Sequence, residues 1–413
     1  MQKIITEPAA SRATWETLET FARGQVQAFI QQLLEDEVTE LLGRPKSVRR
    51  AVVDAPPGAR NGHGKPRRLA LMNGTVTVRR PRVRDLEERF VSRLLPLFQR
   101  RTPEVSALVP ALYLHGLALG DFELALRGLL GEGAPLSASS LVRLKAVWQA
   151  QHAAWQQRDL SDCQLVYLWA DGVYVKAGLE EGKAALLVVI GADAAGQKSV
   201  LAVTSGARES VPSWTAVLRD LAARGLSAPK LTLADGHLGI WGALATIYPT
   251  SGEQRCWNHK MRNVLDAVPR KRQAAVTVQR QAIAHAATRR AATTLRDTFA
   301  RTDHDLFPKA VACVERDWDR LVAYYAFPQE HWTHLRTTNV IESPFAAVRL
   351  RPSAAKRFTR VENATTLIWK TLLVVEHHFR KLNAPHLCMA VYEGVVFRDG
   401  LRTAPAARAR RAA

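Results

Sequence analysis

The chain has 413 residues, 47% of them hydrophobic, and a formal charge of +20; it is long enough for two or three domains with cores of their own and more basic than an enzyme of small metabolites requires. Such an excess suits a phosphate backbone, which it would neutralise with release of counterions, although an Arg-rich genome can produce it too. Four scattered cysteines (Cys163, Cys256, Cys313, Cys388) argue against a disulfide framework and for a reducing, cytoplasmic setting, and neither a signal-peptide core nor an apolar run of spanning length is present, so no membrane partner is expected.

Residues 14–43 place apolar side chains at helical spacing and stop at Gly43. Residues 44–85 change character. RPKSVRR, ARNGHGKPRR and the alternating TVTVRRPRVRD give dense positive charge punctuated by Gly and Pro, with a short strand or hairpin around 75–79. A solvated basic loop and a phosphate-contacting arm, with Arg60, Arg82 and Arg84 as its contacts, explain this run equally well. Helices return from 102 to 150. One ends near Gly131 and Gly133, and Ser137 or Ser139 can cap the next, which carries Arg143 and Lys145. This is either a helix-turn-helix with its second helix in the major groove or an ordinary helical hairpin.

Residues 164–260 alternate strand and helix. Three consecutive strands (QLVYLWADGVYVKAG, AALLVVIGADAAG, QKSVLAVTSGA) precede helix, strand, helix, short strand and helix, an α/β layered pattern whose first part is antiparallel. Residues 270–325 are wholly helical. A capped helix and a long amphipathic one follow over 336–383, and RTAPAARARRAA reads as a disordered basic tail.

Three acids stand out by position. Asp171 ends the apolar run LVYLWA and Asp235 ends LTLA, which puts both carboxylates in the crevice at the carboxyl ends of buried strands. Gly172 and Gly236 follow them and free the backbone for a tight turn or close ligand approach. Glu342 lies in the early turns of a helix that Thr338 or Asn339 can cap. Phosphodiester cleavage needs an attacking oxygen activated and a leaving oxygen stabilised, work suited to two divalent ions roughly 3.5–4 Å apart. Mg2+ prefers such carboxylate oxygens, with Mn2+ as a substitute. Each acid alone is more simply a strand-end or helix-start residue satisfied by an Arg or a backbone N–H; two strand-end Asp-Gly pairs and a third acid on a late helix favour the site.

The order DGVYVK, ADGHLGIWGAL, CWNHKMRNVLDAVP and TTNVIESPFAAVRLR resembles the mutator-type bacterial insertion-sequence transposases, enzymes with an Asp-Asp-Glu triad on a ribonuclease-H-like fold. RNGHGKPRR with NGTVTVRRPRVRD is similar to that family's N-terminal segment, and LYLHGLALGDFELALRGLLG more loosely to the stretch before the core, so the likeness spans roughly 20–385. It implies Asp171, Asp235 and Glu342 as catalytic, metal-holding acids, with spacings of 64 residues (171 to 235) and 107 (235 to 342). The longer gap has room for the helical insertion that such enzymes place before the Glu. The family's Cys-x-x-His is matched by Cys256 and His259, and its basic residue seven positions after the Glu by Arg349. The polar residues usual after the Glu are replaced by Pro344 and Phe345.

Cys256 and His259 are half a zinc site; a packed Cys with a hydrogen-bonded His supporting the active site is the better reading. His237 can contact a phosphate or orient Asp235. Arg349 can clamp a phosphate with its fork, and Lys176 is a weaker candidate of that kind. Trp318 and Trp332 lie in the region where hairpin-forming relatives stack a flipped base, but core packing suits them better.

The implied fold is α/β: a ribonuclease-H-like mixed-sheet core with an all-helical insertion and an N-terminal helical DNA-binding region. Its expected divisions are 1–100 (helical and basic), 101–158 (helical), 159–268 (core, first part), 269–330 (insertion), 331–385 (core, second part) and 386–413 (basic tail). The implied reaction is Mg2+-dependent strand cleavage at the terminal inverted repeats, then strand transfer into target DNA by at least a homodimer. An inactive DNA-binding regulator descended from a transposase would have lost an acid, and none is lost; a nuclease without joining activity would keep the same carboxylates.

Overall fold

The structure, a computed structural model, describes residues 14–49, 56–117, 121–131, 138–177, 183–206, 208–236, 238–355 and 358–403. The chain divides into two units at Leu144 and Lys145.

In the first unit, helix α1 (Leu18–Leu42) ends where expected, because Gly43 takes the left-handed conformation (φ 61°) that a side chain resists. The basic segment forms more strand than its sequence suggests. Strands β1 (Ala59–His63) and β4 (Pro81–Arg84) pair antiparallel around the hairpin of β2 (Arg67–Leu71) and β3 (Gly74–Val78). Leu69, Val76 and Val78 bury against Leu34 of α1 and Leu95, so the alternation at 75–79 marks the half-buried face of a strand. Helices α2 (Pro103–Leu114) and α3 (Phe122–Leu130) follow, and α4 (Ala138–Gln156) begins in this unit and ends in the second. The turn that would define a helix-turn-helix, 132–137, lies outside the described residues.

The second unit is built on one five-stranded mixed sheet of order β7-β6-β5-β8-β9. Strands β5 (Leu165–Lys176), β6 (Lys183–Asp193) and β7 (Lys198–Gly206) form an antiparallel meander. Strand β8 (Leu231–Ala234), reached through α5 (Val211–Ala223), runs parallel to β5. Strand β9 (Gly252–Arg255), reached through α6 (Leu238–Ile247), runs parallel to β8. Alternation along β5 sends Leu168 and Ala170 to one face, where they pack with Trp214, Leu218 and Leu221 of α5 and Trp241 and Leu244 of α6. Tyr167 and Trp169 take the other face. Tyr167 Oη bonds His331 Nδ1 at 2.8 Å, and Trp169 Nε1 donates to the His334 carbonyl at 3.2 Å.

From Trp257 onward helices take over: α7 (Trp257–Asp266), α8 (Gln273–Ala284), α9 (Arg289–Asp303), α10 (Pro308–Glu315), α11 (Trp318–Leu321), α12 (Trp332–Leu335), α13 (Asn339–Ala355) and α14 (Val361–Glu376). Helix α13 runs on through Pro344, and Phe345 after it is fully buried. Trp318 and Trp332 are buried, as core packing requires. The fold does not stop at residue 385. Helix α15 (His386–Tyr392) buries Cys388 and Val391, and a short hairpin of β10 (Phe397–Arg398) and β11 (Leu401–Arg402) follows it. The basic tail expected from 386 therefore begins no earlier than 403, because this segment carries apolar side chains with a place to pack. Among the described residues no helix is long and apolar enough to cross a membrane, and all four cysteines are free thiols.

Candidate active site

Strands β5 and β8 pair in parallel with Tyr167 opposite Leu231 and Trp169 opposite Leu233. Each Asp lies two residues beyond that last pair, so the register alone brings Asp171 and Asp235 side by side. Asp235 follows the last residue of β8. Asp171 does not end its strand: β5 continues to Lys176 against β6. The site thus opens where the short parallel neighbour stops and the long strand goes on. Asp171 shares a strand face with Tyr167 and Trp169 and accepts a hydrogen bond from Gly172 N–H at 2.8 Å.

The sequence reading did not single out Glu209, a third acid at this point. It stands just ahead of α5 and is 8% exposed. One carboxylate oxygen from each of Asp171, Asp235 and Glu209 lies within 4.8 Å of the others. Gly172 makes this possible. A Cβ there would fall 2.3 Å from Glu209 Oε1, so of the two uses expected of this glycine, a tight turn or close ligand approach, neither is the one seen: it admits a side chain of the same chain. Burial, then the charges of Asp235 and Glu209, push the Asp171 carboxyl up to about 7. Burial and the bond and charge of Glu209 push the Tyr174 phenol up to about 12. An oxygen-rich, crowded and largely buried donor set of this kind fits a hard divalent cation.

Glu342 belongs to a neighbouring cluster. Its carboxylate accepts from the Thr338 hydroxyl, and His259 Nδ1 stands 3.7 Å from Glu342 Oε1. Cys256, His259 and Glu342 present ligand atoms within 4.8 Å of one another. Thr338 caps α13: its carbonyl accepts from Ile341 N–H (3.0 Å) and Glu342 N–H (2.9 Å). Its own N–H donates to Cys256 Sγ at 3.3 Å, and Trp257 N–H donates to the Arg336 carbonyl at 2.9 Å. The Cys-x-x-His segment therefore clips the start of α13 in place and sets where Glu342 points. His259 links the two clusters. A hydrogen bond donated to the Cys256 sulfur, opposed by burial and aided by the charges of Cys256, Glu342 and Asp235, raises its pKa to about 9, and its charge acts on Asp171 as well. At neutral pH it is a cation among carboxylates.

Behind Asp235 lies a buried charge network. Arg255 Nε donates to the Asp235 carbonyl at 3.2 Å, while its fork and the Lys260 ammonium both meet Asp317. Gly236 has φ 98°, and a Cβ there would sit 2.2 Å from Arg255 Nε, so this second glycine admits the guanidinium. Glu209, Asp235, Gly236, Gly239, Arg255 and His259 share the wall of one open cleft.

The other residues singled out by sequence fare differently. Lys176 ends β5, exposed, and its carbonyl accepts from Phe358 N–H. Arg349 is exposed on α13, and His237 lies outside the described residues. In the first unit, Arg82 and Arg84 are exposed two apart on β4 and so share a face. Arg60 does not reach outward. Its fork is held by Glu35 Oε2 (2.6 Å) and Thr39 Oγ1 (2.7 Å) on α1, because a half-buried guanidinium takes the partners at hand. Charge density in the sequence could not separate that tether from a surface arm.

The arrangement suits metal-assisted chemistry on a phosphate ester, and comparison with known proteins places the chain in a family. The family model described as "Transposase, Mutator family" matches residues 2–381. The chain is 43% identical over 296 residues to the transposase for insertion sequence element IS6120 of Mycolicibacterium smegmatis, covering 72% of this chain and 92% of that one. It is 41% identical over 279 residues to the transposase for insertion sequence element IST2 of Acidithiobacillus ferrooxidans, covering 67% and 94%. The transposase for insertion sequence element ISRM5 of Rhizobium meliloti is 27% identical over 374 residues, 86% of this chain and 87% of that one. With a family match over nearly its whole length and relatives of this kind, the chain belongs to the Mutator family of transposases.

Proposed function

We propose that the protein is an insertion-sequence transposase that cleaves DNA strands at the ends of its element and joins them to target DNA, with Asp171, Asp235 and Glu342 as its catalytic acids. The observation that carries this is the in-register placement of Asp171 and Asp235 on adjacent parallel strands, with His259 linking them to Glu342. The meander followed by two parallel strands supports reading the sheet as a ribonuclease-H-like core, with the helices within 269–330 as its insertion. The charge of +20 supports DNA as partner, and the first unit, with Arg82 and Arg84 exposed on β4, is the candidate for recognising the terminal inverted repeats. Bringing two ends together calls for at least a dimer.

Asp171 and Asp235 would hold Mg2+, or Mn2+ in its place, with Glu342 completing the set. Such ions, when bound, supply activation of the attacking oxygen and charge stabilisation at the leaving one. The chain's own groups do the rest. Burial of the acids raises the strength of every charge interaction in the cleft. The His259 imidazolium, between the clusters, offsets carboxylate charge and can face a phosphate oxygen. Arg255 fixes the Asp235 backbone, and Thr338 fixes the Glu342 carboxylate.

The test is strand cleavage and joining on a plasmid carrying the element's ends. Asp171→Asn, Asp235→Asn and Glu342→Gln are each expected to lose cleavage by about a thousandfold or more while end binding persists. Cleavage by any two of these variants would refute the assignment. A pre-cut end that wild-type protein fails to join would mark it as a nuclease instead.

A further inference from the structure

We propose that Glu209 is a fourth acid of the site and holds the same divalent cation as Asp171 and Asp235. The inference rests on the reading of those two aspartates as cation ligands. The chain goes to some length to bring this carboxylate to them. Glu209 approaches from the α5 side of the sheet, whereas Asp171 projects from the opposite face of β5. Only the missing side chain at Gly172 lets the two meet, since a Cβ would stand 2.3 Å from Glu209 Oε1. A second glycine clears its backbone: a Cβ on Gly239 would come within 2.9 Å of the Glu209 carbonyl and 2.7 Å of the Ser210 carbonyl carbon. Ser210 then caps α5, its hydroxyl accepting from Ser213 N–H at 3.4 Å, which fixes the turn on which Glu209 stands. The cradle is built from three separate segments around one buried carboxylate.

One structural role would have Glu209 serve Tyr174, whose phenol bonds it. That partner is 47% exposed, so water could replace the bond at little cost, and it gives no reason for an acid within 4.8 Å of two others. Three carboxylates crowded together repel one another, and a cation bound among them removes that repulsion.

The test uses the full chain and Mn2+ alone, with bound and free ion separated by electron paramagnetic resonance. Glu209→Gln keeps the shape and removes the charge, and is expected to weaken Mn2+ binding about tenfold or more. Gly172→Ala, which displaces Glu209 without removing it, is expected to weaken binding too, and Tyr174→Phe to leave it unchanged. Wild-type affinity in Glu209→Gln, with loss in Asp171→Asn, would overturn the role of Glu209 and leave the aspartates standing. Loss in Tyr174→Phe equal to that in Glu209→Gln would also overturn it, since the effect would then run through the tyrosine. Wild-type affinity in both Asp171→Asn and Asp235→Asn would remove the underlying reading itself.

Discussion

Asp171 and Asp317 are both largely buried in the second unit, and their surroundings are opposite. Asp317 is met by Arg255 and by the Lys260 ammonium, itself 1% exposed. Burial works against its charge, yet Lys260 and Arg255 hold its pKa below the usual carboxylate range. Asp171 is met by two further acids, and burial with their charges pushes it up to about 7. One aspartate has its charge answered by the protein and serves the fold. The other faces like charge, which the Gly172 N–H and the His259 charge only partly offset; this costs stability, and the proposed cation site would make use of it. Arg255 touches both regions, bonding Asp317 at one end and the Asp235 carbonyl at the other, so the structural network holds Asp235, the neighbour of Asp171, in position.

The sharpest way to break this contrast is to remove Asp317. Asp317→Ala would leave Lys260 and Arg255 as buried cations with no counter-charge, a loss of about 3–5 kcal/mol. The expected result is a large drop in melting temperature or insoluble protein, measured by calorimetry; a change within about 0.5 kcal/mol would show that the network does not hold the fold. A smaller effect tests the second cluster. Thr338→Val removes the hydroxyl that bonds Glu342 and is expected to cost about 1–2 kcal/mol, with strand cleavage reduced although every acid remains. Unchanged cleavage would mean that Glu342 is oriented by other groups.

A third test is one of pH. His259 stands near 9 in the fold, against about 6.5 in an unfolded chain. Between those values the folded protein keeps a proton that the unfolded chain has released. The stability it contributes is fully present below 6.5 and drains away as pH rises through 9. Melting temperature should therefore fall more steeply from pH 7 to pH 9.5 in the wild type than in His259→Gln; parallel curves would contradict the raised pKa.

The layers of this fold were legible because periodicity is a local signal. The apolar runs LVYLWA and LTLA mark β5 and β8, and an acid at the end of each marks Asp171 and Asp235. What could not be read is where one side chain leans on another segment. Glu209 sits in the polar stretch ARESVPS and looks like an ordinary acid ahead of a helix; only its approach over Gly172, set by the sheet, gives it a place in the site. The same limit applies to the glycines. Gly172 and Gly236 suggested tight turns or close approach of a ligand, and they make room for Glu209 and for Arg255. Arg60 resembled its basic neighbours until α1 supplied Glu35. The segment after 385 gave weak periodicity, so its helix and hairpin were missed.

The most direct test reads Asp171→Asn twice on one preparation. In metal-free buffer at pH 8 the wild type carries an ionised, crowded Asp171, and the amide relieves that charge. The melting temperature of the variant should rise, by about 5 °C, while strand cleavage is lost. A melting temperature that falls, or cleavage that survives, would contradict the account of Asp171 as an acid held for chemistry at a cost to the fold.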